Sequence, residues 1–344
     1  MKELRELVPD IQFYGIGGPL AEEQGLKSLA SQKDIAVVGF WEVAKKYTFF
    51  KKLLDKSKRM LKEDSIDLFL PIDYPGFNIP LAQYAKSISI PVIYYIAPQL
   101  WAWGKNRAKK IAECTDQLLV VFPFEEKYFA EFGINTKFVG HPLLDYEEFT
   151  SDFKKYEERQ NLIAVLPGSR RQEILNHKKF LNELFGSFKK YLPNFELAIA
   201  KSSNISDVFF NDINPNYRIF NNSNELMKIA KAGVIKTGTS NLEAMLSGLP
   251  FAMFYKTSAL TYFMARRMVN LPYISIVNIL SNKFAIPEFI QKEVNPDTIA
   301  NYIKSKVENE EEFKLIQNTF DKLRIELGSS GAAKSASKII SDYL

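Results

Sequence analysis

Gly233–Tyr255, GVIKTGTSNLEAMLSGLPFAMFY, is the stretch whose reading decides the fold. Val234 and Ile235 end a short apolar strand. Thr237-Gly238-Thr239 turn sharply, Ser240 opens a helix, and Gly248 with Pro250 closes it before a second apolar strand, Phe251–Tyr255. Such a strand–turn–helix–strand unit predicts an α/β domain. Its turn offers free backbone N–H groups and a positive helix end, where a phosphate binds readily. Ser240-Asn241-Leu242-Glu243 also fits a capping box, which alone explains the serine and the glutamate. In the ligand-binding reading, Gly238 lets a nucleotide approach the backbone beside Thr239 and Ser240. Glu243 then accepts hydrogen bonds from ribose hydroxyls.

A second phosphate-type turn lies upstream. Leu162–Leu166 reads as a strand and runs into Pro167-Gly168-Ser169-Arg170-Arg171-Gln172-Glu173. The Arg170 guanidinium matches phosphate oxygens bidentately, and a glycine turn lets backbone N–H groups join it. A surface loop arginine is the plainer alternative. Ile274–Leu280, ISIVNIL, reads as a strand ending near Asn278, which can bond a base or a phosphate, or simply cap.

In the first half, Lys2–Leu7 reads as a helix, Ile11–Tyr14 as a strand and Gly15-Ile16-Gly17-Gly18-Pro19 as a turn. A helix ahead of the first strand is unusual for an α/β domain, so a first strand and loop are expected to be missing. Ile66–Ile72 reads as a strand delivering Asp73 at its C-terminal end, where ligands of open α/β sheets bind. Asp73 and Asn78 also fit ordinary turn or cap roles. Ile90–Ala97 reads as a strand before Pro98-Gln99-Leu100-Trp101-Ala102-Trp103-Gly104-Lys105-Asn106-Arg107, a rim suited to a sugar and a phosphate, or a basic helix start. Around Trp41 to Leu54 and Leu260 to Val269, aromatics alternate with cations. Core-packed amphipathic helices are the default there, and a lipid-facing surface is the second reading. A lone His141 at a loop reads as structural.

The 344 residues allow two domains, and 46% hydrophobic with 25% charged residues marks a folded chain. A net charge of +5 suits phosphorylated substrates or an anionic membrane surface, and is too weak and scattered for nucleic acid. Cys114 is the only cysteine, which excludes an intrachain disulfide. The two histidines are far apart and no D-x-D pair occurs, so no metal or other cofactor is expected. The charged N-terminus has no signal-peptide core and no run nears the ~20 apolar residues of a membrane span, so a cytoplasmic protein is expected. The charged segment Glu147–Gln160 divides the chain into domains 1–150 and 151–327, with a final helix in 328–344.

In this order, IDYPGFN, APQLWAW, FVGHPL, LPGSRRQE, TGTSNLEAMLSGLP and PYISIVNIL resemble lipid-A-disaccharide synthases, from about Pro9 to Leu327. The resemblance implies two Rossmann-like domains facing a cleft, the glycosyltransferase B architecture. It implies inverting, metal-independent transfer of diacylglucosamine from UDP-2,3-diacylglucosamine to 2,3-diacylglucosamine 1-phosphate at the inner face of the inner membrane. Asp73 matches the family's proposed base. Arg170, Gly168, Ser169, Glu173, Gly238, Thr239, Ser240, Glu243 and Asn278 then fall on the nucleotide side. Gly17, Gly18, Trp41, Asn78, Trp101, Trp103 and Arg107 fall on the acceptor and membrane side. Family members begin with a strand and a G-E-x-S-G-D loop that this chain lacks, and some carry an acidic residue at Gly76, which leaves Asp73 as the candidate base. Members can pair as homodimers by exchanging C-terminal segments, which residues 329–344 leave open. Another UDP-sugar glycosyltransferase of the same architecture, and a non-catalytic nucleotide-sugar-binding protein at a membrane surface, are the competing readings.

Overall fold

A computed structural model describes residues 1–31, 47–103, 105–202, 205–258, 262–263, 266–267 and 271–344, with backbone only at 31, 102, 103, 105 and 106. The chain forms two compact units, Met1–Asp145 with Ser329–Leu344, and Tyr146–Gly328. The expected boundary at 150/151 thus falls after Asp145. The final helix, Ala332–Ser341, expected to stand apart, belongs to the first unit because its apolar side covers that unit's sheet.

The second unit is built on a six-stranded parallel sheet of order β11-β10-β9-β6-β7-β8. Its strands are β6 (Gln160–Leu166), β7 (Glu196–Ala200), β8 (Arg218–Phe220), β9 (Ala230–Lys236), β10 (Phe251–Tyr255) and β11 (Glu288–Ile290). Both faces are covered, so the strands read as nearly continuous apolar runs. Ile163, Val165, Val234 and Phe254 pack on Phe180, Leu184, Phe188, Ile299 and Ile303 of the helices Arg171–Tyr191 and Pro296–Val307. Buried Arg159 binds the other layer: its guanidinium donates to the carbonyls of Met227, Ala230, Ser247 and Gly248, where the helices Ser223–Ile229 and Thr239–Leu246 end. Strand order runs outward from β6 through β7 to β8, then returns across β6 to β9. The topological switch point therefore lies between the carboxyl ends of β6 and β9.

The first unit contains two parallel sheets, β1-β2 and β3-β4-β5. Their strands are β1 (Phe13–Gly17), β2 (Leu26–Ser31), β3 (Ile93–Tyr95), β4 (Gln117–Val120) and β5 (Thr136–Phe138). The strand expected over Ile66–Ile72 is reduced to bridges Phe69↔Val92 and Ile72↔Tyr95. Pro71 is the reason: its carbonyl accepts from Tyr95 N at 2.9 Å, but it has no N–H for the next rung. Tyr94, Leu118 and Val120 pack on Ile79, Leu100, Ile111 and Phe129 on one face. Ile93, Leu119 and Val139 pack on Leu4, Ala336 and Ile340 on the other.

Two further expectations are corrected. Gly15 and Gly17 lie within β1, and Gly18 caps the helix Pro19–Glu23, so the glycine run is mostly strand. Ile274–Leu280 forms the helix Ile276–Ser281 instead of a strand. Ser275 caps it, accepting from Val277 N, and Glu288 accepts the Ile274 and Ser275 N–H groups.

Candidate active site

At the switch point β6 ends in Pro167-Gly168-Ser169-Arg170 and β9 ends in Lys236-Thr237-Gly238. Gly168 (φ 120°) and Gly238 (φ 146°) take backbone conformations that side chains disfavour. Glu173, at the start of the helix Arg171–Tyr191, joins the two turns. Its carboxylate accepts from Ser169 N at 3.1 Å, Arg170 Nη1 at 3.3 Å and Lys236 Nζ at 2.8 Å. Those partners outweigh its partial desolvation and hold its pKa below the ordinary carboxylate value. Beneath the first turn, buried His177 bridges Pro167 O (2.8 Å) and Lys256 O (3.3 Å). Lys236 carried no signal in the sequence beyond being a cation at a strand end. Asn241 is a second residue that sequence reasoning passed over: it is buried and donates Nδ2 to Lys236 O, fixing the β9 turn.

The capping box that Ser240 and Glu243 also fit does not form. The helix begins at Thr239 with Gly238 as its N-cap and no side chain caps it. Thr239 and Ser240 N–H accordingly have no acceptor among the described residues. Glu243, a turn further in, is half-buried, and its carboxylate accepts no hydrogen bond among the described residues, while its carbonyl accepts from Ser247 N at 2.9 Å. Desolvation, then repulsion from Glu148, raises its pKa above 4.5, as for a carboxyl still waiting for donors. Asn278 is different. It is fully buried, its Nδ2 donates to Ile286 O and Glu288 Oε1, and its Oδ1 accepts from Ala285 N and Ile286 N. Every hydrogen-bonding position is used inside the fold, so Asn278 is a loop clamp and has nothing left for a nucleotide.

In the first unit, Asp73 follows the bridged segment beside β3. Asp73 (φ 45°), Tyr74 (φ 46°) and Ile96 (φ 57°) all have left-handed backbones at the ends of neighbouring segments. Such strain in side-chain-bearing residues persists only where surrounding contacts enforce it, and it gathers at functional sites. The enforcing contacts here are Tyr94 Oη (2.6 Å) and Asn78 Nδ2 (2.7 Å), both donating to Asp73 O, while Asp73 N donates to Tyr95 O. Asn78 therefore locks the main chain of Asp73 through its Nδ2, which also donates to Ile72 O at 3.1 Å. Asp73 is exposed overall, and partial desolvation of its carboxyl nonetheless raises its pKa above 3.8. Trp101 is held by Glu125, which accepts from its Nε1 at 2.9 Å, and it packs edge-on against Phe124. Gly17 is a packing glycine: a Cβ there would meet Leu26 Cδ2 at 2.6 Å. Arg107 is exposed on the helix Lys105–Cys114, while Trp41 and the Trp103 side chain lie outside the described residues. His141 is buried and accepts from Leu143 N through Nδ1, and burial lowers its pKa to about 4, as befits a structural imidazole. Among the described residues no cluster of His, Cys, Asp and Glu could hold a metal ion.

The family model described as lipid-A-disaccharide synthetase matches residues 1–342. The chain belongs to the lipid-A-disaccharide synthase family. The lipid-A-disaccharide synthase of Syntrophus aciditrophicus (strain SB) is 34% identical over 340 residues, covering 95% of this chain and 89% of that protein. That of Persephonella marina (strain DSM 14350 / EX-H1) is 33% identical over 368 residues, covering 99% and 94%. Among solved structures, the kitacinnamycin glycotransferase superposes with a TM-score of 0.65 at 15% identity, covering 100% of this chain and 94% of that one. The likeness is one of fold alone, and it agrees with the α/β class and the glycosyltransferase B architecture. Membership of the lipid-A-disaccharide synthase family makes the chain a glycosyltransferase of lipid A biosynthesis, with a nucleotide-sugar donor and a lipid acceptor. Among the described residues no helix is long and apolar enough to cross a membrane.

Proposed function

We propose that the chain joins UDP-2,3-diacylglucosamine to 2,3-diacylglucosamine 1-phosphate, giving the lipid A disaccharide 1-phosphate and UDP. The observation that carries the nucleotide half is the uncapped helix start at Gly238, with an unbonded Glu243 one turn behind it. A capping box would have consumed both features. In this reading Thr239 and Ser240 N–H, Ser169 and Arg170 bind the diphosphate, and Glu243 holds the ribose. The Asp73 carboxylate takes the proton of the acceptor's 6-hydroxyl as that oxygen bonds to the donor's anomeric carbon. The bond from that carbon to the phosphate oxygen breaks, and the charge growing on UDP is stabilised electrostatically by the turn and Arg170. The reading places the enzyme on the inner face of the inner membrane. Exposed Phe263, under the Arg267 guanidinium at 4.1 Å, supports contact with lipid headgroups. Transfer of diacylglucosamine between the two substrates in detergent micelles tests it. Turnover that falls by ~100-fold or more in Arg170→Ala, the scale of losing a charge stabiliser, is expected. UDP binding without turnover under all conditions would sink the synthase assignment.

A further inference from the structure

We propose that Glu173 is a built-in anion standing where the nucleotide's diphosphate goes, and that Lys236, once released from it, becomes a second cationic ligand of that diphosphate. The inference rests on the nucleotide-binding reading above and assigns the residues that tune it. Three donors from two strand ends converge on this single carboxylate: the Ser169 N–H, the Arg170 guanidinium and the Lys236 ammonium. These are the donor types that cradle phosphate oxygens at a glycine turn. Lys236 and Glu173 are each only 17% exposed, so their pairing is more than a solvated surface contact. The carboxylate also lies directly over the glycine. A Cβ on Gly168 would stand 2.2 Å from Glu173 Oε2, so the space a ligand needs beside that turn is filled by Glu173 itself.

A diphosphate cannot share these donors with a fixed carboxylate. Two anions brought within a few ångströms repel, and each donor group would have to serve both. Arg170 is the more mobile cation, its side chain 53% exposed, and can turn towards either anion. Lys236 is anchored at the end of β9, where Asn241 binds its carbonyl, and its side chain is only 17% exposed, which leaves its ammonium less freedom to leave the switch point than Arg170 has. Rotation of Glu173 towards solvent would expose Ser169 N–H, Arg170 and Lys236 together. The site then changes from one net positive charge to two facing the ligand. Ordinary support of the turn by Glu173 makes the opposite prediction, because removing a support loosens the cradle and weakens binding.

Calorimetric titration of UDP, and of inorganic pyrophosphate, into the full chain, Glu173→Gln and Lys236→Met separates these. The amide in Glu173→Gln keeps shape and one acceptor while removing the repelling charge. We expect its UDP and pyrophosphate Kd values to fall by roughly 3- to 10-fold, a fraction of the repulsion between charges at this range. Lys236→Met should raise both by roughly 10- to 100-fold, the scale of one charge-assisted hydrogen bond. Tighter binding cannot arise from a damaged fold, so gain of affinity in Glu173→Gln is diagnostic. Unchanged or weaker binding in Glu173→Gln overturns the proposal while UDP binding by the unmodified chain leaves the nucleotide reading intact. Full affinity in Lys236→Met overturns the role of Lys236. Absence of UDP binding in all three proteins overturns both this inference and the reading beneath it.

Discussion

Asp73 shows how a chain fixes a carboxylate without enclosing it. Two side-chain donors lock its carbonyl in a left-handed backbone, so the proposed base is positioned through its main chain. Asp73→Asn keeps those main-chain contacts and removes only the carboxylate proposed as base. Transfer should drop by ~100-fold or more while the Kd for UDP stays unchanged; transfer within a few-fold of the unmodified enzyme would return Asp73 to a turn role. Because partial desolvation raises this pKa, activity should be lost on the acid side as pH falls through a value above 3.8, which a pH–rate profile reads. Glu125 carries a different pH signature. Burial pushes its carboxyl from 4.5 up to about 7, against hydrogen bonds from Trp101, Phe122 and Val121. The folded protein thus holds this proton more tightly than the unfolded chain does. Its contribution to stability is fully present below 4.5 and is lost as pH rises through 7. Tm should therefore decline over that window, and Glu125→Gln, which cannot ionise, should flatten the decline. An identical slope in the variant would reject the assignment.

The helix Thr239–Leu246 is the element on which the nucleotide reading turns, and its start was not legible in the sequence. S-x-x-E at Ser240 to Glu243 satisfies the capping-box pattern, but the chain caps the helix two residues earlier with Gly238, whose φ of 146° only glycine adopts easily. The two alternatives differ in stability. A serine cap replaced by alanine costs about 1 kcal/mol, whereas Ser240 as an uncapped second residue should change urea stability by under ~0.5 kcal/mol on Ser240→Ala. A loss near the larger value would restore the capping box and free no N–H for a ligand. Elsewhere, patterning was legible where burial on both faces made it long: β6, β9 and β10 stand where the apolar runs placed them. It failed at ISIVNIL, where seven apolar-rich residues suit a strand or a helix equally. There the cap by Ser275 and the distant Glu288 carboxylate chose the helix. Of the candidate site, the glycine turns and the positions of Arg170 and Asp73 beside strand ends were legible as motifs. Lys236 and the clamping roles of Asn78 and Asn278 were not, because each depends on a partner set only by the folded arrangement.

At the scale of the molecule, the first unit is assembled from two ends of the chain. The helix Ala332–Ser341 returns to lie beside Lys2–Leu7, and Ala336 and Ile340 complete the apolar layer over Ile93, Leu119 and Val139. Asp145 fastens the return, accepting from Gly331, Ala332 and Ala333 N–H at 2.6, 2.9 and 2.8 Å and so capping a helix nearly two hundred residues downstream. No local pattern announces such a join, since it is decided by which face of the sheet lacks cover. Deleting Ser329–Leu344 should uncover that face and lower the unfolding transition of the first unit by several kcal/mol, given ~1.5–3 kcal/mol for each large apolar side chain withdrawn from burial. The second unit has its own sheet and core, and its transition should hold its midpoint. Asp145→Ala should reproduce a fraction of the loss, about 1 kcal/mol, by removing the cap alone. Denaturant unfolding followed by tryptophan fluorescence reads the first unit selectively, because Trp41, Trp101 and Trp103 are the chain's three tryptophans. Circular dichroism reads both units. A deletion that leaves the fluorescence midpoint in place would show that the returning helix covers the sheet without stabilising it.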